Sequence, residues 1–467
     1  MAGLGRSFGF LWSSTALSNL ADGVLKVGAP LLAVSMTRSP TLVSLVGAAA
    51  TAPWLLFALH AGAIADRADR RRIMVLANTA RTAILAATAL LAALGVLDLW
   101  VLLAAVLLAS VSEVFADVSA QSILPMTVPQ EHLTRANGRV STAQMIGNDF
   151  VGAPVAGLLV AALPAVIFGA PALLYGVAGL LLLGMRGTFA LAGSRRGDRP
   201  SDPADSPTGG ADAGADGPTH ADPRMHGYPS EAAGHRTSHD PSGSPADRRR
   251  TLWQDIGEAL RYLWSHRVLR SLAITAGLLN LANAAYFAVF VLWAVGDGSM
   301  IGLEPSEYGL MTTAFAVGAV FGSLLSGRAA RLFGEFGTLV GAWLITSLLL
   351  LVPMIVPSPW TLYPTAVLWG VTGAAGNVLV ISIRQRLIPA ELLGRVNSAY
   401  RLVGMGGMPL GAALGGVVAE FAGLGAVLAG ATGVCLLAVG LVWRALSDRI
   451  SRPLTSEPTL SDISRSR

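Results

Sequence analysis

The sequence predicts an all-α, polytopic membrane protein with twelve transmembrane helices arranged as two six-helix bundles. Three observations predict this. Of the 467 residues, 53% are hydrophobic and only 13% are charged, against about 25% charged in ordinary soluble domains. Runs of roughly 20 or more mainly apolar residues, long enough to cross a bilayer, occur six times before residue 187 and six times after residue 267. The two sets of six also echo each other at an offset of about 260 residues.

In order, the first six runs are 8–37, 41–65, 72–95, 98–122, 138–162 and 165–186. The second six are 268–295, 306–328, 335–357, 360–385, 396–421 and 424–445. The first run is too long for a signal-peptide core and lacks a small-residue cleavage site, so it is expected to stay as a helix. Glycines and prolines inside the runs are normal for membrane helices. The expected domains are a bundle over 1–186, a linker over 187–250, an amphipathic helix plus second bundle over 251–447, and a tail over 448–467.

Between Gly187 and Asp247 the composition turns to Pro, Gly, Ser, Asp and His, which cannot bury enough surface to fold. His220, His226, His235 and His239 could chelate a metal, but a low-complexity tether explains them as well, and no metal is expected. From Thr251 to Arg270, Leu252, Ile256, Leu260 and Leu263 share one face, with Arg261 and Arg267 opposite. That pattern predicts an amphipathic helix lying on the membrane surface.

Arginine placement sets orientation. Arg6, Arg67–Arg72, Arg135, Arg139, Arg186, Arg195, Arg328, Arg331, Arg395, Arg401, Arg444 and Arg449 fall in one set of loops. The alternate loops carry Arg38 as their only clear cation, beside Asp98, Asp297, Glu304, Glu307 and Glu420. The positive-inside rule then puts both termini and the linker in the cytoplasm, with the protein in the inner or plasma membrane. Trp12, Trp100, Trp293, Trp360 and Trp443 lie near run ends, as an interfacial belt requires.

Nothing reads as an enzyme or a nucleotide hydrolase. The formal charge of +5 is almost all arginine, and Lys26, inside the first run, is the only lysine. A phosphate-binding loop therefore has no lysine to use. The single cysteine, Cys435, excludes an internal disulfide framework. No cofactor and no nucleic-acid partner is expected. The expected partners are the lipid bilayer, a small molecule and protons, with the chain acting as a monomer.

The repeat is visible in three places. Val128-Pro129-x-Glu131-x-Leu133-x-Arg135-x-Asn137 matches Ile388-Pro389-x-Glu391-x-Leu393-x-Arg395-x-Asn397. Asn19-Leu20-Ala21-Asp22 faces Asn280-Leu281-Ala282-Asn283, and Arg67 and Arg70 correspond to Arg328 and Arg331. Repeats in one orientation imply two bundles related by an axis along the membrane normal, enclosing a central site that opens to either side by rocking.

The loop Gly62-x-x-x-Asp66-Arg67-x-Asp69-Arg70-Arg71-Arg72 concentrates two acids and four arginines between two apolar runs. Gly62 is expected to let helices approach closely. Asp66 ends its helix, where a bare carboxylate opposes the dipole, so it should find an adjacent arginine or another helix N-terminus. The string resembles the loop signature of the major facilitator superfamily, with Asp69 in place of the second glycine. Gly147-x-Asp149-x-x-Gly152-x-Pro154-x-x-Gly157, with its parallel through Pro409, resembles the glycine-proline signature of drug/proton antiporters. Close helix packing explains these residues equally well. The Asn19-Leu-Ala-Asp-Gly opening and the Glu258-Ala-Leu-Arg-Tyr-Leu-Trp stretch are similar to the macrolide-efflux and siderophore-exporter branch.

The resemblance implies the major facilitator fold and a secondary transporter driven by the proton motive force, most simply an exporter of amphipathic small molecules working by alternating access. A metabolite-importing facilitator stays open, as does a non-transporting or lipid-handling protein on the same scaffold. Gly62, Asp66, Arg67, Arg70 and Arg71 are then expected to gate.

Ionisable groups inside the runs are expensive and mark function. Asp22 and Lys26 stand one turn apart and can pair within their own helix, as a proton or substrate site or as a self-neutralised pair. Arg81 lies about 14 Å beyond Arg72 along its helix, at a depth comparable with Asp117, which predicts a structural Arg81–Asp117 pair. Glu113 would then be the freer acid, and Asp149 is a further deep carboxylate. Asp22, Lys26, Glu113 and Asp149 are thus the candidates for proton coupling. Asn19, Asn280, Asn283, Tyr286 and Asn377 are the candidates for lining the cavity and contacting substrate.

Overall fold

The computed structural model describes residues 4–162, 164–185, 189, 252–388 and 393–450. Within them the first half forms α1 (Arg6–Met36), α2 (Pro40–Arg67), α3 (Arg70–Ala93), α4 (Leu99–Ile123), α5 (Leu133–Met145), α6 (Ala153–Ala162) and α7 (Pro164–Leu183). The second half forms α8 (Leu252–Ser265), α9 (Arg267–Ala294), α10 (Pro305–Phe333), α11 (Glu335–Leu349), α12 (Val352–Ile355), α13 (Pro359–Leu387), α14 (Leu393–Ala422) and α15 (Leu424–Ile450). Twelve helical segments among the described residues are long and apolar enough to cross a membrane. The chain is a multi-pass membrane protein. The expected linker, with its four histidines, lies outside the described residues except for Phe189.

Helix boundaries follow local chemistry. Ser39, Asp69 and Asp98 each accept a hydrogen bond from a first-turn N–H, and Pro40 and Pro359 sit where a missing N–H costs nothing. Glu304 and Glu307 form a capping box at the start of α10, and Gly334, at φ 74°, ends it. The fifth span is composite, because α5 and α6 are joined by a π-helical segment over Ile146–Gly152. Pro154 has no N–H to give the preceding turn, so the hydrogen-bond ladder has to shift there.

The outer surface is apolar: Leu437 is 71% exposed and Leu324 is 69% exposed. Acyl chains would cover such side chains. On α8, Leu263 is fully buried beside Val268, Leu269 and Val396, while Trp264 is exposed, so the predicted amphipathic helix docks on the second bundle.

How the halves meet decides what the site can do. At the arginine-poor end one continuous core joins them, running from Leu31 and Val34 on α1 to Val289 and Leu292 on α9 and Leu428 on α15. At the arginine-rich end each half keeps its own core, one around Phe8, Met74 and Ile123 and the other around Leu269, Val396 and Val442. Hydrogen bonds repeat the asymmetry. Arg38 on the α1–α2 turn donates to the carbonyls of Val295 (3.3 Å) and Asp297 (3.1 Å). Glu420 accepts from the Ser39 hydroxyl at 2.8 Å and the Thr41 N–H at 3.3 Å, and Thr41 donates to the Gly416 carbonyl. Thr313 donates to the carbonyl of Asp149 at 3.4 Å. These six hydrogen bonds join the halves, and five of them sit at the extreme arginine-poor end. The molecule is closed there and parted at the other.

Glycines set the close approaches at that closed end. A Cβ on Gly157 would clash with the Pro305 carbonyl oxygen, and one on Gly416 would overlap the Ser44 hydroxyl. Gly152 and Gly147 press the fifth span against Gly23 and Leu20 of α1, and Gly407, Gly411 and Gly415, flanking Pro409, press α14 against α9. Gly62 differs from the expectation: a Cβ there meets nothing within 4 Å, so close helix approach does not require it.

Candidate functional site

The first bundle encloses a cavity of about 570 Å³, bordered across the gap by Met405 and Met408 of α14. Leu25, Val46, Trp54 and Val106 make much of its wall apolar, and Asp22, Lys26, Glu113 and Asp117 supply charge. That combination of an apolar pocket with a few convergent charges is the usual form of a ligand site.

The charges do not pair as the sequence suggests. Asp22, 5% exposed, accepts a 2.5 Å hydrogen bond from the Tyr175 hydroxyl and lies 3.5 Å from Arg81 Nη1. The Arg81 guanidinium, 1% exposed, also stacks 4.7 Å from the Tyr175 ring centroid. Arg81 is therefore paired with Asp22 and not with Asp117. α3 packs against α7 as well as α4, and the Arg81 guanidinium meets the acid and the tyrosine on that side.

Nor does Lys26 pair with Asp22. Its Nζ lies 3.5 Å from Glu113 Oε1 on α4, and its side chain is half-exposed to the cavity. Glu113 is consequently not the freer acid. That is Asp117, which lines the cavity with no hydrogen bond or ion pair among the described residues. Three carboxylates face two cations, so the fully ionised cluster carries one unbalanced negative charge in a poorly polarisable setting, and one bound proton neutralises it.

Asp149 sits midway along the fifth span. It is exposed on the π-helical segment and borders a separate cavity of about 270 Å³ with Lys26, Phe287, Tyr308 and Trp369. Asn19 donates to the Thr15 carbonyl and accepts from Asn148, so it holds α1 to the fifth span at the cavity wall.

The second bundle has its own cavity of about 410 Å³, meeting the first at Met405. Asn280, Asn283 and Asn377 line it, as do Arg384, Tyr400 and Arg401. Asn280 is partly committed, donating to the Gly404 carbonyl at 2.9 Å, and Asn283 donates within its own helix. Tyr286 does not face this space. It is fully buried, stacks with Phe290, and gives its hydroxyl to the Leu350 carbonyl at 2.8 Å. Sequence reasoning missed Arg384 and used Arg401 only to set orientation. The available signal was helical spacing, since Asn377 and Arg384 stand seven residues apart and so share a face of α13.

In the arginine-rich loop, Asp69 accepts from the backbone N–H groups of Arg71 (2.9 Å) and Arg72 (3.4 Å). The residue that replaces glycine in the signature is thus the N-cap of α3. Arg71 donates to the last carbonyls of α7, Leu182 (2.8 Å) and Leu183 (2.6 Å), and buried Arg70 reaches the Met126 sulfur at 3.1 Å. The loop stitches α3 to α7 and to the turn after α4, while Arg67 is exposed. The Asp66 side chain lies outside the described residues.

The model of the Major Facilitator Superfamily matches residues 11–300 and 280–466. The enterobactin exporter EntS of Escherichia coli O1:K1 / APEC is 30% identical over 210 residues, 42% of this chain and 46% of that protein. Macrolide efflux protein A of Streptococcus pyogenes is 25% identical over 149 residues, 32% of this chain and 36% of that one. The chain therefore spans about half the length of the curated relatives it matches, or less. Among solved structures, a bacterial homologue of the iron transporter ferroportin in an inward-facing state aligns at TM-score 0.64 and 13% identity, covering 94% of this chain and 98% of that one. The nucleoside transporter NupG aligns at 0.63 and 11%, covering 95% and 99%. With the family model matched along nearly the whole chain, this protein belongs to the Major Facilitator Superfamily.

Proposed function

We propose that the chain is a proton-coupled exporter of amphipathic small molecules working by alternating access. The observation that carries this reading is the five-membered cluster of Asp22, Arg81, Lys26, Glu113 and Asp117, one proton short of neutrality, against an apolar cavity of about 570 Å³. Efflux in two partial relatives supports the direction.

In this reading the arginine-rich end is cytoplasmic. The cavity is open to that side and takes up substrate once Asp117, with Glu113 one turn away, has released its proton to the cytoplasm. Proton entry from outside neutralises the cluster, weakens the hold of Glu113 on Lys26, and makes the emptied cavity less costly to close. Asp22, held by Arg81 and Tyr175, positions α1 against α3 and α7. Asp149 contributes through the side cavity it shares with Lys26. The loop of Gly62, Asp66, Arg67, Arg70 and Arg71 stiffens the cytoplasmic end of the first bundle, and Asp66 engages α14 when that end closes.

The test uses everted membrane vesicles in which a pH gradient drives uptake of two dyes, the neutral N-phenyl-1-naphthylamine and its sulfonated relative 1-anilinonaphthalene-8-sulfonate. Asp117→Asn and Glu113→Gln are each expected to cut gradient-driven uptake by about tenfold or more while facilitated exchange persists. Full coupling in both variants, or no protein-dependent movement of either dye, refutes the proposal.

A further inference from the structure

The geometry points to an anion-binding subsite in the second bundle, formed by Arg384, Arg401 and Asn377, which gives the transported molecule a defined chemistry: an apolar body ending in a carboxylate, sulfonate, phosphate or similar oxyanion. This deepens the export reading and depends on it.

Four observations carry the assignment. The cavity of about 410 Å³ in this half has two arginines in its wall and, among the described residues, no carboxylate. Neither Arg384 nor Arg401 has an ion pair among the described residues, although Arg386, two residues on, pairs with Glu335 at 2.7 Å outside the cavity. The Arg384 guanidinium carbon lies over Tyr400, 3.9 Å from the ring centroid, and its Nε is buried without a hydrogen-bond partner. Asn377 lines the cavity about 10 Å deeper along the same face of α13 and makes no hydrogen bond among the described residues.

Arginines that only mark orientation stand in water with their donors hydrated. Arg384 is different. Stacking over a ring restrains a guanidinium, and the two terminal nitrogens of Arg384, which make no hydrogen bond among the described residues, are left for two-point binding of an oxyanion. Arg401, from the facing helix α14, adds a second positive charge, and the Asn377 amide adds neutral donors. A Coulombic site with an aromatic brace and no counter-ion among the described residues is incomplete until an anion enters.

The first bundle complements this. Its cavity meets the anion site at Met405 and offers an apolar wall around Trp54, Val46 and Val106. It also carries the surplus carboxylate, which repels an anionic head. A ligand would lie across the gap with its charge on the α13–α14 side and its apolar body on the α1–α2–α4 side.

A lipid phosphate shares this chemistry, so the experiment separates the two sources. Full-length protein in nanodiscs of zwitterionic phosphatidylcholine is titrated with 1-anilinonaphthalene-8-sulfonate and with N-phenyl-1-naphthylamine, which lacks the sulfonate, after subtraction of empty discs. The sulfonated dye is expected to bind about tenfold tighter or more. Arg384→Gln and Arg401→Gln should each remove about tenfold of its affinity, and Arg384→Lys should recover only part, because an ammonium cannot stack and fork. Neutral-dye affinity should stay within about twofold in all variants, which also shows that they are folded. Equal affinity for the two dyes, or arginine variants that leave the sulfonated dye unaffected, overturns the subsite while leaving export of the neutral dye intact. If added phosphatidylglycerol lowers wild-type binding of the sulfonated dye to the level of the arginine variants, a lipid headgroup occupies the site and the substrate assignment falls. If neither dye binds, nor moves in vesicles, the export reading falls with it.

Discussion

The buried Asp22–Arg81 pair lends itself to a quantitative test, because both partners are almost fully enclosed and the neighbours that would compensate for loss of either are known. Removing one partner of a buried pair costs about 3–5 kcal/mol, since the other charge is left unpaired. The structure separates the two single variants within that range. In Arg81→Leu, Asp22 keeps its 2.5 Å hydrogen bond from Tyr175. A hydrogen bond to a charged group is worth about 1.5–3 kcal/mol, so this variant should sit near the lower limit, about 3 kcal/mol. In Asp22→Asn, Arg81 has no other carboxylate within ion-pair distance among the described residues, and its Nε and Nη2 are already buried without partners. That variant should approach about 5 kcal/mol. The double variant should cost about 2–3 kcal/mol less than the sum of the singles. The assay is unfolding of the purified chain by SDS in mixed micelles, followed by tryptophan fluorescence. Strictly additive penalties would refute the pair as a coupled unit.

Two further predictions probe other parts. Asp69→Ala removes the cap of α3 and should cost about 1 kcal/mol in the same unfolding assay, whereas Asp69→Gly should cost only a few tenths; equal losses would argue against capping. Lys26 is the chain's only lysine and its side chain is 53% exposed, so a membrane-impermeant amine reagent, read at the Lys26 peptide by mass spectrometry, reports on one internal site. Labelling is expected from the arginine-rich face and not from the other, and Gly157→Ala, whose methyl would clash with the Pro305 carbonyl, should admit reagent from the arginine-poor face. Labelling of the unsubstituted protein from both faces would contradict the closed end.

The spans, the duplication and the amphipathic α8 were legible because hydropathy and its period are local properties. The cluster was not. Asp22 meets Arg81 59 residues away and Tyr175 153 residues away, and only the packing of α1, α3 and α7 brings them together. Depth along a helix can be counted from sequence, which gave Arg81 its level, but azimuth cannot, which is why Asp117 looked like its partner. Tyr286 misled for a related reason. A polar residue in an apolar run suggests a cavity, yet α11 ends at Leu349, and the carbonyl of Leu350, freed from the helical ladder, takes the hydroxyl. The role of Asp69 could have been read locally, since an aspartate immediately before a helix is a cap before it is anything else. In the Gly147–Gly157 stretch the steric contacts supply a packing role for both Gly152 and Gly157, with no transport argument needed.

Arg38 was the one cation out of place in the charge bias, and its bonds to the carbonyls of Val295 and Asp297 give the exception a meaning. Rules that assign topology weigh a positive charge by where it lies and disregard what it touches. Here a charge that opposes its own loop's translocation is retained as a strap across the two halves. Insertion and cycling therefore place contrary demands on a single side chain. Arg38→Gln would strengthen the orientation signal in the biosynthetic step and loosen the closed end in the working cycle, so two processes that normally stand or fall together can be pulled apart at one position. The acceptors are main-chain oxygens, so side-chain drift at Val295 and Asp297 leaves the strap intact, and the burden of keeping it falls on the arginine.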